Sequence, residues 1–250
     1  MDIDFVNLTA ETLWSEHLCC IIRSKKPHAG IDAKRQWLSD RLREGHVFRK
    51  LNVKATVFIE YAPLETAWTP ILGDNYYYLY CLWVDGNFKG KGYGKCLMEY
   101  CIADAKEKGK SGLCMLGAKK QKAWLSDQSF AARFGFKVVD TTDYGYDLLA
   151  LSFDGTMPRF AENVKVPQID RKELTIYYDM QCPFIYQNVE LIKQHCETKG
   201  IPASFIQVDT LEKAKKLPCV FNNWAVFYKG KFETVNLLLD VAAVERILRK

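Results

Sequence analysis

No stretch of this chain stays apolar for the ~18 to 20 residues that a membrane span demands, and its 250 residues hold no CxxC pair. The first absence predicts a protein with no membrane partner. The second removes the spacing of structural zinc sites and dithiol motifs. Histidine is scarce: His17, His28, His46 and His195 are dispersed and form no ligand set, so no metal is expected. Long cationic runs are missing as well. The formal net charge of +5 therefore reads as a mildly basic surface suited to anionic ligands. With no zinc-finger spacing and no basic reading helix, nucleic acid is excluded as a partner. The N-terminus, MDIDFVNLTAETLW, lacks a cationic segment ahead of an apolar one and predicts no export signal. Nine cysteines, an odd number without such a signal, fit reduced thiols in the cytoplasm.

What is present is ordinary globular composition, 48% apolar and 26% charged, in a chain long enough for one or two domains. A short strand at 3–8 leads to Thr9, a helix cap, with Glu11 and Glu16 in the helix that follows. A second helix is predicted over 32–44, from the apolar spacing of Ile31, Trp37, Leu38 and Leu42. Residues 46–51 and 54–61 read as strands, the latter (KATVFIEY) rich in β-branched and aromatic residues. The strongest strand signal is NYYYLYCLWV at 75–84, in which Tyr76, Tyr77, Tyr78, Tyr80 and Trp83 alternate across two faces. Helix 93–108, strand 112–117, a short helix capped by Ser126 or Asp127, and strands 136–140 and 147–153 complete the first part. Residues 154–172 lose periodicity and carry two prolines, so the domain junction is placed there as a linker between 1–153 and 173–250. The second part reads β-α-β-α-β-β-α.

The segment with chemical content is VDGNFKGKGYGK, 84–95. A strand delivers the chain to alternating Gly90, Gly92 and Gly94, and a helix begins at once. Glycines admit positive φ and remove Cβ atoms, so amide N–H groups can converge on one concavity. A helix N-terminus adds unpaired N–H groups and its dipole, and Lys89, Lys91 and Lys95 add charge. The product is a cradle for a pyrophosphate. The spacing is neither that of a P-loop, since position 96 is Cys, nor the G-x-G-x-x-G of dinucleotide folds.

Lys89-Gly-Lys-Gly92-Tyr-Gly94 resembles the [Arg/Gln]-x-x-Gly-x-[Gly/Ala] motif of GCN5-related N-acetyltransferases, the GNAT family, and the resemblance extends over 1–153. It implies an α/β (α+β) fold with a mixed, mostly antiparallel sheet flanked by helices, whose strands 76–84 and 112–116 splay apart around acetyl-CoA. It further implies that backbone groups of Leu82 and Val84, with Trp83 between them, meet the pantetheine arm. Amides of Lys89, Gly90, Lys91, Gly92, Tyr93, Gly94 and Lys95 would hold the pyrophosphate. The activity implied is transfer of acetyl from acetyl-CoA to an amine acceptor by direct attack on the thioester. The family's tyrosine acid is absent, because Ala131 stands at that position. Tyr144 and Tyr146 are the substitutes by proximity. Glu60 is a candidate base, with a solvent-facing strand residue as the plainer alternative.

The second part resembles a thioredoxin-like fold, and the whole chain resembles proteins with a YoaP-like C-terminal region. Cys182 precedes a helix, where such folds carry a redox thiol, but Ile185 replaces the second cysteine. A monothiol, a docking surface and a homodimer contact remain alternatives there. A catalytically degenerate acyl-CoA-binding module is the alternative for the first part.

Overall fold

The computed structural model describes residues 4–18 and 28–250, so Cys19 and Cys20 lie outside the described residues. In chain order the first part comprises β1 (Phe5–Asn7), α1 (Ala29–Leu42), β2 (Val47–Leu51), β3 (Val57–Pro63), β4 (Ile71–Leu72), β5 (Tyr76–Val84), α2 (Tyr93–Glu107), β6 (Gly112–Ala118), α3 (Gln128–Ala132), β7 (Lys137–Thr141) and β8 (Tyr146–Ser152). Then follow β9 (Arg159–Phe160), α4 (Glu162–Lys165), β10 (Leu174–Tyr178), α5 (Phe184–Lys199), β11 (Ala203–Gln207), α6 (Leu211–Lys215), β12 (Trp224–Tyr228), β13 (Lys231–Thr234) and α7 (Val241–Leu248). The β-α-β-α-β-β-α order from β10 onward is the one the sequence predicts.

Seven strands form one sheet in the order β1-β2-β3-β5-β6-β8-β7, antiparallel except for β5 beside β6. A four-stranded mixed sheet, β11-β10-β12-β13, forms the second layer system. One face of the large sheet carries Val57, Ile59, Tyr61 and Leu79, covered by Leu97, Met98 and Cys101 of α2. The other face carries Phe58, Tyr76, Tyr78 and Cys114, and here α1 contributes Trp37 and Leu38. Ala225 and Phe227 of β12, with Phe221 and Leu217, belong to this same core, so the two sheets share it. The far side of β10 and β12 presents Ile176, Trp224 and Val226 to α5 and α7 in a third core.

Two expectations differ from the structure. After Thr9 the chain makes only a turn: the N–H of Leu13 reaches the carbonyl of Thr9 at 2.9 Å, and no α-helix develops over 10–16. Thr9 and Thr12 tie their hydroxyls to each other and to local N–H groups, which competes with helix propagation. The stretch 154–172 is also more ordered than its sequence suggests. β9 pairs with β4, and Phe160, Ala161 and Val164 are buried in the shared core.

Candidate active site

β5 and β6 pair in parallel only at Tyr76–Gly112, Tyr77–Leu113 and Tyr78–Cys114. Beyond that point each stays with its other neighbour. β5 follows β3 to Val84, and β6 follows β8 to the Ala118–Tyr146 pair. The parting coincides with a bulge: Tyr61 pairs with Leu79 while Glu60 pairs with Cys81, leaving Tyr80 as an extra residue. A bulge bends its strand and increases local twist. It also resets the alternation, so Tyr80 and Cys81 both face the shared core, while Leu82 and Val84 face α2. The result is a wedge whose β5 wall, 79–84, has main-chain groups unclaimed by β6.

The glycine loop stands at the open end of this wall. A 3-10 turn at Gly86–Phe88 follows β5, and Phe88 and Phe5 brace Tyr93 through ring contacts of 5.8 and 6.2 Å. Gly90 and Gly92 adopt φ of +76° and +82°, and a Cβ on either would meet nothing within 4 Å. L-residues with side chains pay about 1–2 kcal/mol for that backbone. Gly92 caps α2, and the first helical bond from this end runs from Cys96 N–H to the Gly92 carbonyl at 3.0 Å. The amides ahead of Cys96 thus lack helical acceptors, as at any helix start. Gly94 is closer to its surroundings, with Phe130 and Val84 side-chain carbons 3.5 and 3.6 Å from its ideal Cβ position. Lys89 and Lys91 lie over the rings of Trp83 and Phe88, each 5.8 Å from the centroid. Trp83 is 46% exposed on the wall opposite Leu82 and Val84. Among the described residues no side chain crowds the Cα atoms of Gly90 and Gly92, so this face of the turn is open.

The remaining sequence candidates are placed as follows. Glu60 does not face solvent. Its carboxylate is fully buried and accepts from Lys34 Nζ at 2.7 Å, His46 Nε2 at 2.9 Å and Gln181 Nε2 at 2.8 Å. Burial alone would raise its pKa, but Lys34 and His46 outweigh burial and hold it below the usual carboxylate range. Burial lowers the His46 pKa despite Glu60, so His46 is a neutral donor. Tyr144 donates to the Val164 carbonyl at 2.8 Å and accepts from the Val220 N–H at 3.2 Å. Tyr146, opposite Ala118 at the end of β6, accepts from the Val235 N–H at 3.3 Å, and burial raises its pKa. Cys182 is half-buried just before α5, in a loop held against α1: Lys34 Nζ also donates to the Gln181 carbonyl at 2.6 Å. Trp124, in the connector after β6, meets Phe184 edge-on at 5.7 Å.

The buried cluster of Lys34, His46, Glu60, Asp179 and Gln181 escaped sequence reasoning. Its members come from α1, the residue just before β2, β3 and the segment after β10, and no local spacing joins them. A lysine at position 34, inside an apolar helix stripe, was the one available signal.

The acetyltransferase (GNAT) family matches residues 11–136 of the chain, and a YoaP-like family matches residues 202–242. A curated relative, the uncharacterized N-acetyltransferase YoaP of Bacillus subtilis (strain 168), is 35% identical over 246 residues, 98% of each chain. Among solved structures, the PaiA N-acetyltransferase of Thermoplasma acidophilum in complex with coenzyme A covers 61% of this chain and 100% of its own, at 18% identity and a TM-score of 0.42. The ribosomal-protein-S18-alanine N-acetyltransferase of Escherichia coli covers 62% of this chain and 96% of its own, at 14% identity and a TM-score of 0.41. With half the chain inside the family match and a relative spanning nearly all of it, this protein belongs to the acetyltransferase (GNAT) family and is an acetyl-CoA-dependent N-acetyltransferase.

Proposed function

We propose that acetyl-CoA lies in the wedge between β5 and β6 and that its acetyl group passes directly to a primary amine. The observation that carries this reading is the open, left-handed glycine pair Gly90 and Gly92 at the start of α2, directly beyond the unclaimed half of β5. Amides of 89–95, with Lys89, Lys91 and Lys95, would hold the pyrophosphate. Main-chain groups of Leu82 to Val84 would pair with the pantetheine arm as a third strand would. An N–H on that wall would also polarise the thioester carbonyl. The bound coenzyme supplies the activated acetyl group; the protein supplies position, exclusion of water and proton management.

For the proton delivered to the departing sulfur we favour Tyr146. It opens β8 opposite Ala118, the last residue of β6, and its raised pKa keeps it protonated at neutral pH. Tyr144 and Glu60 receive positioning roles, because the Tyr144 hydroxyl gives its proton to the Val164 carbonyl and the Glu60 carboxylate is taken by three donors, whereas the Tyr146 hydroxyl oxygen accepts from Val235.

The test is thermal protection by acetyl-CoA. A ligand bound only by the native state raises Tm. Acetyl-CoA is expected to raise the Tm of the wild type and to leave Gly92→Glu unchanged, because the glutamate places bulk and negative charge in the cradle. Protection of Gly92→Glu equal to that of the wild type would overturn the reading.

A further inference from the structure

A second cavity, of about 500 Å³, opens where the connector after β6 meets the last elements of the chain. It is walled by Trp124 on one side and by the segment from β13 into α7 on the other. Its position relative to the wedge is fixed by a short chain of contacts. Ala118, the last residue of β6, pairs with Tyr146. The Tyr146 hydroxyl meets the N–H of Val235 at 3.3 Å. Asn236, the next residue, lines the cavity. Tyr146, a member of the shared core, thus links the last residue of β6 to the segment that walls the cavity.

Its lining combines three kinds of group. The floor is apolar, with Leu238 buried and Leu239 54% exposed. Asn236 adds a polar side chain to this lining. Charges of both signs stand at the rim. Glu233 and Lys250 pair with each other, which leaves Asp240 and Arg246. Arg246 is exposed and makes no ion pair among the described residues. A fork of guanidinium donors suits a carboxylate. Asp240, whose Oδ1 accepts the Ala243 N–H at 2.7 Å at the start of α7, keeps its second carboxylate oxygen for an ammonium. An apolar floor between them suits a hydrocarbon side chain.

We propose that this cavity is the acceptor site and that the acceptor is a small amino-acid zwitterion with an apolar side chain. The inference rests on the transferase reading above and adds the site and class of its second substrate. The ammonium loses one proton to solvent to become the nucleophile. Its nitrogen forms a bond to the acetyl carbonyl carbon as the carbon–sulfur bond breaks. The second nitrogen proton ends on the departing sulfur, so the products are the N-acetyl amino acid, coenzyme A thiol and one released proton.

The experiment uses the full chain with L-leucine, isoamylamine and 4-methylpentanoate as probes, and it reads binding and turnover separately. L-leucine alone is expected to raise Tm, whereas the two probes that lack a carboxylate or an amine protect less at equal concentration. In thiol release with acetyl-CoA, the KM for L-leucine should rise about tenfold or more in Arg246→Met, the loss of one charge-assisted contact. The KM for isoamylamine and the protection by acetyl-CoA should stay unchanged. Ala123→Trp, which changes an exposed residue lining the same cavity, should also raise the L-leucine KM without altering acetyl-CoA protection. Equal performance of isoamylamine and L-leucine, or unchanged L-leucine kinetics in both variants, would overturn the assignment. Loss of the transferase reading has a different signature: L-leucine protection sensitive to Arg246→Met, with no protection by acetyl-CoA.

Discussion

Asp179 offers a test of the buried junction that does not depend on any ligand. It follows β10, is fully buried, and accepts from the Gln181 N–H at 2.8 Å through Oδ1. Its Oδ2 is buried with no partner among the described residues. Burial is the main cause that pushes its pKa from 3.8 up to about 8, and the nearby Glu60 carboxylate adds to the rise. The Gln181 N–H, Lys34 and Arg41 oppose it. The folded protein therefore holds a proton that the unfolded chain has released between about pH 4 and pH 8. Over that window the native state binds more protons than the unfolded state, so stability falls as pH rises, by about 1.4 kcal/mol per unit for this one group. Asp179→Asn keeps the shape and an N–H donor where the protonated carboxyl has its O–H, and it cannot ionise. The stability difference, variant minus wild type, should grow by about 4 kcal/mol between pH 5 and pH 8. Slopes from Glu60 and His46 occur in both proteins and cancel in the difference. Urea unfolding at half-unit pH steps measures it. A difference that stays flat from pH 5 to pH 8 would show that Asp179 is ionised in the fold and would refute the reasoning.

Removing Lys34 by Lys34→Met leaves the buried Glu60 carboxylate with one cationic partner fewer, and the expected loss is about 3–5 kcal/mol of stability, read by chemical denaturation. A loss below about 1 kcal/mol would mean that water reaches the cluster. Tyr146→Phe is expected to lower kcat for thiol release while leaving acetyl-CoA protection intact. Tyr144→Phe should cost about 1 kcal/mol of stability with kcat unchanged. The opposite pattern in these two variants would exchange their roles.

The seven-stranded sheet was legible because its strands are dense in β-branched and aromatic residues and its glycine loop sits between a strand and a helix. The backbone of the loop was legible for a further reason: glycine at 90 and 92 announces the positive φ that both adopt. The bulge at Tyr80 was hidden, since five aromatics in 76–83 satisfy either face and conceal a one-residue reset of the alternation. The junction at 154–172 misled because its two prolines and short apolar groups give no period, yet Phe160, Ala161 and Val164 are buried by a sheet that comes from elsewhere in the chain. Glu60 misled for the same reason, its partners Lys34 and Gln181 lying 26 and 121 residues away. These failures share one physical cause, a core built from both parts of the chain. That core has a measurable consequence. Phe227 of β12 is fully buried within it, beside Tyr177 at 5.8 Å and Phe232 at 5.6 Å. Truncation by Phe227→Ala should remove about 3–5 kcal/mol. Because the same side chains support both sheets, calorimetry should show a single transition that moves down as a whole, with near-equal calorimetric and van't Hoff enthalpies. If the variant instead splits into two transitions, with the one assigned to the seven-stranded sheet unmoved, then the two sheets fold independently and the shared core contributes contact without cooperativity.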